Sequence, residues 1–475
     1  MLFNSLSFAV FLPIMFSLYW MIPHKFRWVL MLLASYWFYM SWNPKYVVLI
    51  LFTSFVSYKA ALIIEKQQEQ RKKRLTLAAA AVLCLSVLFF FKYFNFFSES
   101  MTHVLRLFTI QLNPITLNLV LPVGISFYTF QTLSYVIDVY RGDITAEQHF
   151  GRYATFVSFF PQLVAGPIER TTNLLPQIKA EHKFSYDLAT YGLKLMAWGY
   201  FKKIVIADTI AKYIGKVYEN PHGYEGFALL LSAILFSVQI YCDFSGYSDI
   251  AIGTAKLFGI NLMTNFKSPY FSQSVKEFWS RWHISLSTWF RDYVYIPLGG
   301  NRVTKIRHAF NLLLTFLVSG LWHGANWTFV VWGGIHGLAQ VIENGTIPKK
   351  YGESKGLIWA FRVLVVFCFC TFAWIYFASS SLSDAHYIIA HMLDGVSRPI
   401  AYVLNGFTSV GIPKLNFVPI FLLFVYDYFS IKKDVITVVS SQKKVVRWCI
   451  YIVLAIWIIL NIPAENTSEF IYFQF

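Results

Sequence analysis

Charge is scarce in this chain. Asp, Glu, Lys and Arg make up 13% of its 475 residues, against roughly 25% in soluble globular domains. The deficit is mostly of acid, with 24 Asp and Glu against 40 Lys and Arg. A composition this poor in charge excludes an ordinary water-soluble enzyme. Cysteine is also rare: Cys84, Cys242, Cys368, Cys370 and Cys449 are odd in number, lie in or beside apolar runs and form no C-x-x-C. That excludes a disulfide framework or a dithiol centre and leaves them as small apolar residues. Neither H-E-x-x-H nor G-x-x-x-x-G-K-[ST] occurs, and a nucleophile elbow at Ser319 would need glycine where Leu317 and Leu321 stand. Zincin-type metal sites, P-loops and serine hydrolases are therefore unsupported, and no resident metal is expected.

What the chain has instead is apolar and aromatic. Phe, Trp and Tyr reach 19% and mean hydropathy is +0.52. Apolar runs recur at Leu2–Trp20, Tyr46–Tyr58, Leu77–Phe91, Ile115–Ile137, Phe227–Tyr241, Val363–Phe377, Phe417–Tyr426 and Trp448–Ile462. A helical crossing needs about 20 residues, so these runs and the segments between them predict about ten to twelve crossings. The first run has no Lys or Arg before Lys25 and no small-x-small site, so it reads as a retained span. One membrane domain over residues 1–475 is expected, with no soluble domain.

The formal charge of +16 raises nucleic acid as a partner. The cations, however, gather in short loops, at Glu65–Arg74, Asn301–His308 and Lys432–Arg447, where retention of positive charge on the cytoplasmic side explains them. Those loops inside, alternation puts both termini outside the cell membrane. No nucleic-acid partner is expected, only membrane lipid.

From about residue 122 to 337 the sequence stops resembling plain lipid-facing helix. Gly, Pro and ionisable residues enter in LPVGISFY, FFPQLVAGPIER, YCDFSGYSDIAIG and LWHGANW, which bilayer depth tolerates only inside protein or along a watered cavity. The segment Lys276–Tyr293 reads as one helix whose polar stripe holds Lys276, Ser280, His283, Ser287 and Arg291, a wall that wants water or a polar ligand. An interfacial helix facing lipid phosphate is the plainer alternative. His323 stands in a twenty-two-residue stretch, Leu317–Leu338, without a charged residue. Trp322 lies beside it, Gly320 and Gly324 leave room for a small group, and Asn326 offers an amide one turn on. His336 reads as structural. Asp243 and Asp249, with Tyr247 between them, suit either internal pairing or contact with a substrate. The segment carrying Glu169 and Arg170 reads as a structural re-entrant turn.

WSRWHISLSTWFRDYVYIPLGGNR followed by LVSGLWHGANWTFVVWGGIHG, with YCDFSGYSDIAIG upstream, resembles the membrane-bound O-acyltransferase (MBOAT) family. Within it the wording is similar to the bacterial branch that holds the alginate O-acetyltransferase membrane subunit and the teichoic acid D-alanyl transfer protein, and it favours the alginate side. The likeness runs from SYWFYMSW to FIYFQF.

The resemblance implies an all-α polytopic fold, a ring of helices around a thin centre with opposed funnels, in a bacterial inner membrane. It also implies acyl transfer from a thioester to a hydroxyl, with the family's signature histidine at His323 and its second signature position at His283. A positioned imidazole can take the hydroxyl proton near neutral pH, so His323 is expected to be the general base. His283 would hold the donor or orient His323, and Asn326 or a backbone N–H would stabilise the oxyanion. Lys276, Arg281 and Arg291 suit the phosphates of acetyl-coenzyme A, the expected donor substrate. The implied partners are an SGNH-type acyltransferase outside the membrane and an exported polysaccharide acceptor. A carrier-protein thioester donor, or a transporter lined by the polar stripe, stays open beside this reading.

Overall fold

The computed structural model describes residues 1–164, 166–346, 354–462 and 470–471. Every regular element among the described residues is helical. Hydrocarbon requires this, because each backbone N–H and C=O there must bond within its own segment. Contacts sort the chain into two compact units, residues 1–193 with 251–263, and residues 194–250 with 264–475.

The first unit opens with α1 (Leu6–Met21), α2 (His24–Met40), α3 (Val47–Lys66), α4 (Gln70–Leu88) and α5 (Phe94–Leu107), and continues with α6 (Ile125–Arg141), α7 (Phe150–Ser158), α8 (Phe160–Leu163) and α9 (Thr171–Lys179). Its buried polar groups bond one another, as a dry interior demands. Ser57 Oγ and Tyr153 Oη are 2.7 Å apart, and Gln162 Nε2 donates to Gln131 Oε1 at 2.6 Å. Glu169 accepts from the Met263 N–H at 2.5 Å and from Asn173 Nδ2 at 2.6 Å, so it stitches the turn before α9 to the loop at 263.

The second unit takes in the end of α10 (Tyr186–Tyr200), which runs on as π-helix through Phe201–Ala207, then α11 (Asp208–Glu219) and most of α12 (Phe227–Leu257). Two short helices follow, α13 (Val275–Arg281) and α14 (Ile284–Phe290), with a π-helical turn at Arg291–Tyr295. Then come α15 (Lys305–His323), α16 (Trp327–Thr346), α17 (Gly356–Ala378), α18 (Leu382–His391), α19 (Pro399–Val410), α20 (Phe417–Ser430), α21 (Val435–Ser440) and α22 (Lys444–Asn461).

Single helices that are long and apolar enough to cross are fewer than the ten to twelve crossings expected. Among the described residues five helices are long and apolar enough to cross a membrane, or six if the pair Pro399–Val410 and Lys414–Ser430, bent by 91°, is one span. The run Ile115–Ile137 explains part of the difference: its first half is not helical, and α6 starts only after Gly124, which adopts φ +74°. The first run yields a helix of 16 residues, too short for a full crossing. Of the tail expected outside the cell, Pro463–Phe475, only Phe470 and Ile471 are described.

α15 and α16 form a hairpin in which backbone meets backbone. A Cβ built on Gly320 would collide with the Phe329 carbonyl oxygen, and one on Gly333 with that of Phe316. Small residues at a crossing let membrane helices approach this closely. Gly320→Val should therefore force the hairpin apart at a cost of about 1–3 kcal/mol or more. The expected outcome is an earlier thermal unfolding midpoint in detergent, while Gly345→Val, at a position where a Cβ meets nothing within 4 Å, leaves the midpoint within a degree or two of wild type.

Candidate active site

The segment expected as one helix from Lys276 to Tyr293 is broken in the middle. Trp282 is extended and His283 sits in the left-handed region at φ +43°, so α13 ends before it and α14 begins after it. A left-handed conformation costs an L-residue roughly 1–2 kcal/mol, so the surroundings must impose it. They do so through the loop at 265–267, which lies along the break: Lys267 N–H donates to Arg281 O and Ile284 N–H to Asn265 O, both at 3.0 Å. The Asn265 side chain completes the clamp, accepting from Ser285 Oγ at 2.6 Å and donating to Ser248 Oγ at 3.1 Å. Strain of this kind concentrates at functional positions.

The break removes His283 from the polar stripe. Lys276, Ser280, Ser287 and Arg291 line a pocket of about 700 Å³, within the range of small-molecule sites. His283 instead turns inward, fully buried, with its ring edge-on to Phe244 at 4.6 Å. Both of its ring nitrogens are buried without a hydrogen-bond partner among the described residues.

His323, the last residue of α15, is buried in the same cluster. Its ring centroid lies 6.4 Å from that of His283, 5.0 Å from those of Trp322 and Trp332, and 5.4 Å from that of Phe377. Trp332 Nε1 and Trp374 Nε1, in rings 5.6 Å apart, are buried donors with no acceptor among the described residues. Buried polar atoms are rarely left unpaired, so this ring cluster is equipped to receive a hydrogen-bonding group.

Gly320 and Gly324 were expected to leave space beside His323. The structure fills that space: the Phe329 carbonyl occupies the Gly320 side, and the Phe329 ring lies where a Cβ on Gly324 would go. These glycines serve helix packing. His336 accepts from Trp279 Nε1 at 3.2 Å and packs 5.0 Å from Trp332, on the far side of the wall that His323 touches.

The pocket approaches both histidines. Ile284, the neighbour of His283, lines it, as does Ser319, one turn before His323 on α15. Its cations are Lys276 and Arg291, His308 adds an imidazole, and no Asp or Glu lines it among the described residues. Arg281, expected to help bind phosphate, is instead paired with Glu277 at 2.6 Å and is not in the lining. Arg291 keeps a contact to Asp292 at 2.7 Å, exposed to solvent, and remains in the lining.

Asn326 caps α16. Its Oδ1 accepts the Thr328 N–H at 3.0 Å and its Nδ2 donates to Ser380 O at 2.9 Å. The amide is spent on the helix start, as an Asn at this position commonly is. Asp243 and Asp249 take the other fate open to buried carboxylates. Asp243 pairs with Lys203 at 2.5 Å and accepts the Ile471 N–H at 2.7 Å, while Asp249 pairs with Lys202 at 2.7 Å. Lys203 also meets Asp208 at 2.8 Å and lies 5.1 Å over the Tyr247 ring. Gly199 and Gly246 permit this, because a Cβ on either would come within 2.8 Å of the other's carbonyl oxygen. The sequence reading passed over Lys202 and Lys203, although a lysine pair in the apolar run before Asp208 was a readable signal. Asn265, Trp332 and His308 were missed as well, with no local signal for the first.

A buried histidine pair, with the neighbour of one and a residue one turn before the other lining a pocket that carries Lys276 and Arg291, makes a candidate active site in this multi-pass helical membrane protein. Residues 144–382 match the sequence model of the membrane-bound O-acyltransferase family. The chain belongs to that family and is an O-acyltransferase. It is similar to the "Probable alginate O-acetylase AlgI" of Pseudomonas putida, at 35% identity covering 100% of both chains. It is also similar to a peptidoglycan O-acetyltransferase of Helicobacter pylori, at 34% identity over 84% of this chain and 81% of that one. A teichoic acid D-alanyltransferase of Streptococcus thermophilus is 29% identical over 55% of this chain and 66% of its own.

The left-handed backbone at His283 yields a prediction that separates backbone from side chain. His283→Gly and His283→Ala both delete the imidazole, but only glycine relieves the conformation. The Gly variant should unfold later than the Ala variant, by about 1 kcal/mol or more, in thermal melts of detergent-solubilised protein, and both should be impaired in acyl transfer. Equal melting of the two variants would show that the strain is not there.

Proposed function

We propose that this protein takes an acetyl group from a cytoplasmic thioester and delivers it toward a hydroxyl of an exported polysaccharide, as in alginate O-acetylation, with His323 as general base. What supports the reading is the approach of His283 and His323, ring centroids 6.4 Å apart, next to a pocket lined by Ile284 and Ser319 that also carries Lys276, Arg291 and His308. A hydroxyl is a weak nucleophile until its proton is taken during attack. His323 accepts that proton as the hydroxyl oxygen bonds to the thioester carbonyl carbon. Collapse then breaks the C–S bond, and the leaving thiolate takes the proton back from the imidazolium. No Ser or Cys nucleophile is needed when donor and acceptor are bound together.

Acetyl-coenzyme A fits the pocket as donor, since its phosphates would meet Lys276, Arg291 and His308, and Arg281, held by Glu277, drops out of that role. His283 holds the acyl end or orients His323. The oxyanion role assigned to Asn326 passes to an indole N–H, Trp332 Nε1 or Trp374 Nε1, because these donors are unspent. Asp243, Tyr247 and Asp249 belong to the ion-pair core beside the site. We place the protein in a bacterial inner membrane with both termini outside and the pocket open to the cytoplasm, handing its acyl group to an SGNH-type partner that modifies the polymer.

The test is transfer of labelled acetyl from acetyl-coenzyme A by reconstituted protein with glycan and membrane partner fractions. His323→Ala should lower turnover by about 10²–10⁴-fold with expression and elution volume unchanged, and turnover equal to wild type sinks the base assignment. Lys276→Gln with Arg291→Gln should raise KM for the donor about tenfold while kcat holds, the effect growing as salt is lowered. If only a carrier-protein thioester supports turnover, the donor is of the kind a D-alanyltransferase would use, and coenzyme A is ruled out.

A further inference from the structure

The last helices carry a groove that acyl transfer does not use. It has a volume of about 570 Å³ and lies among α10, α20, α21 and α22. Aromatic rings build its floor: Trp198 stacks on Tyr426 at 4.0 Å and on Phe201 at 5.1 Å, and Phe201 meets Trp457 edge-on at 5.7 Å. α22, which forms one wall, has no residue of its apolar window buried in the protein. In a bilayer such a concave apolar face is filled by hydrocarbon.

One end of the groove is polar. Lys194 Nζ donates to Ser440 Oγ at 2.8 Å, and Arg447 Nη1 donates to Ser440 O at 3.1 Å, so two cations meet on one serine. The Lys194 ammonium lies 6.0 Å from the ring of Tyr451, whose hydroxyl is buried with no hydrogen-bond partner among the described residues. Lys443 and Lys444 are exposed next to this end, at the start of α22. The one carboxylate of the loop, Asp434, is occupied in capping α21, accepting from Ile436 N–H at 3.2 Å and from Thr437 Oγ1 at 2.5 Å. From Arg447 to Trp457 the helix rises about 15 Å, so the cationic end and the aromatic floor are one elongated site. The loop Lys432–Arg447 is also one of the three that retention of positive charge places on the cytoplasmic side.

We infer that this groove binds an anionic glycerophospholipid, with one acyl chain on the aromatic floor and the phosphate between Lys194 and Arg447, where the Tyr451 hydroxyl donates to a phosphate or ester oxygen. Basic pockets between membrane helices on the cytoplasmic side recognise anionic head groups in this way. A zwitterionic lipid presents the same phosphate, but its ammonium would face Lys443 and Lys444. Selection for net negative charge follows.

Native mass spectrometry of the full-length protein, delipidated and then titrated with phosphatidylglycerol or phosphatidylcholine of identical chains, tests this. Phosphatidylglycerol should be retained at least tenfold better. Lys194→Gln with Arg447→Gln should abolish that preference, and Val453→Trp, which fills the groove, should lower retention of both lipids. Because the first pair touches Ser440 and could disturb the fold, Lys443→Gln with Lys444→Gln, both exposed, provides a second variant expected to reduce the preference severalfold. Acetyl transfer at saturating donor should be unchanged in this exposed pair, which separates failure here from failure of the acyltransfer mechanism. Equal retention of the two lipids, an unchanged preference in both charge variants, or displacement by glycerol phosphate at concentrations comparable to the lipid would overturn the inference.

Discussion

The left-handed turn at His283 is the constraint on which the site depends. It stops α13, starts α14 and swings the imidazole away from the pocket wall and into the ring cluster around His323. A straight helix would have kept His283 beside Lys276 and Ser280, facing water. The clamp that holds the turn is polar and buried: two backbone bonds and the Asn265 side chain with Ser248 and Ser285. Low dielectric makes such a network strong when every member is satisfied.

A second polar network stands beside the first. Lys202, Lys203, Asp208, Asp243 and Asp249 put five ionisable groups into an interior that disfavours each of them alone. Removing one partner would leave an uncompensated charge. The π-helix at Phe201–Ala207 and the Gly199–Gly246 crossing bring the two lysines to the α12 carboxylates, so this ion-pair core fixes the register of α10 against α12.

The legible parts of the sequence were those that act locally. Helical class, membrane setting and the polar members of the 276–291 stripe followed from composition and spacing, and four of that stripe's five residues do line one pocket. The fifth, His283, was misplaced because helical periodicity cannot report a break imposed by a distant loop. Asn326 was misread for a related reason: a side chain that caps a helix and one that binds an oxyanion look alike until the helix start is known. The apolar runs did not give the helix bounds, because hydropathy does not register where a run leaves the helix, as at Gly124. The family resemblance covers what spacing cannot, since it singles out both His283 and His323, whose rings lie 6.4 Å apart.

The glycine-tight hairpin of α15 and α16 has a consequence for how this machinery can change. With no Cβ between the Gly320 backbone and that of Phe329 and Gly333, His323 is mounted on a hairpin whose two backbones are in direct contact. Such a mount fixes the backbone from which the imidazole projects. The walls opposite, on the short helices α13 and α14, present Ser280 and Ser287 at the surface of the pocket, where side chains can be exchanged without repacking the hairpin. The tight hairpin and the pocket wall are thereby separated in sequence, so side chains of the wall can change without moving the hairpin.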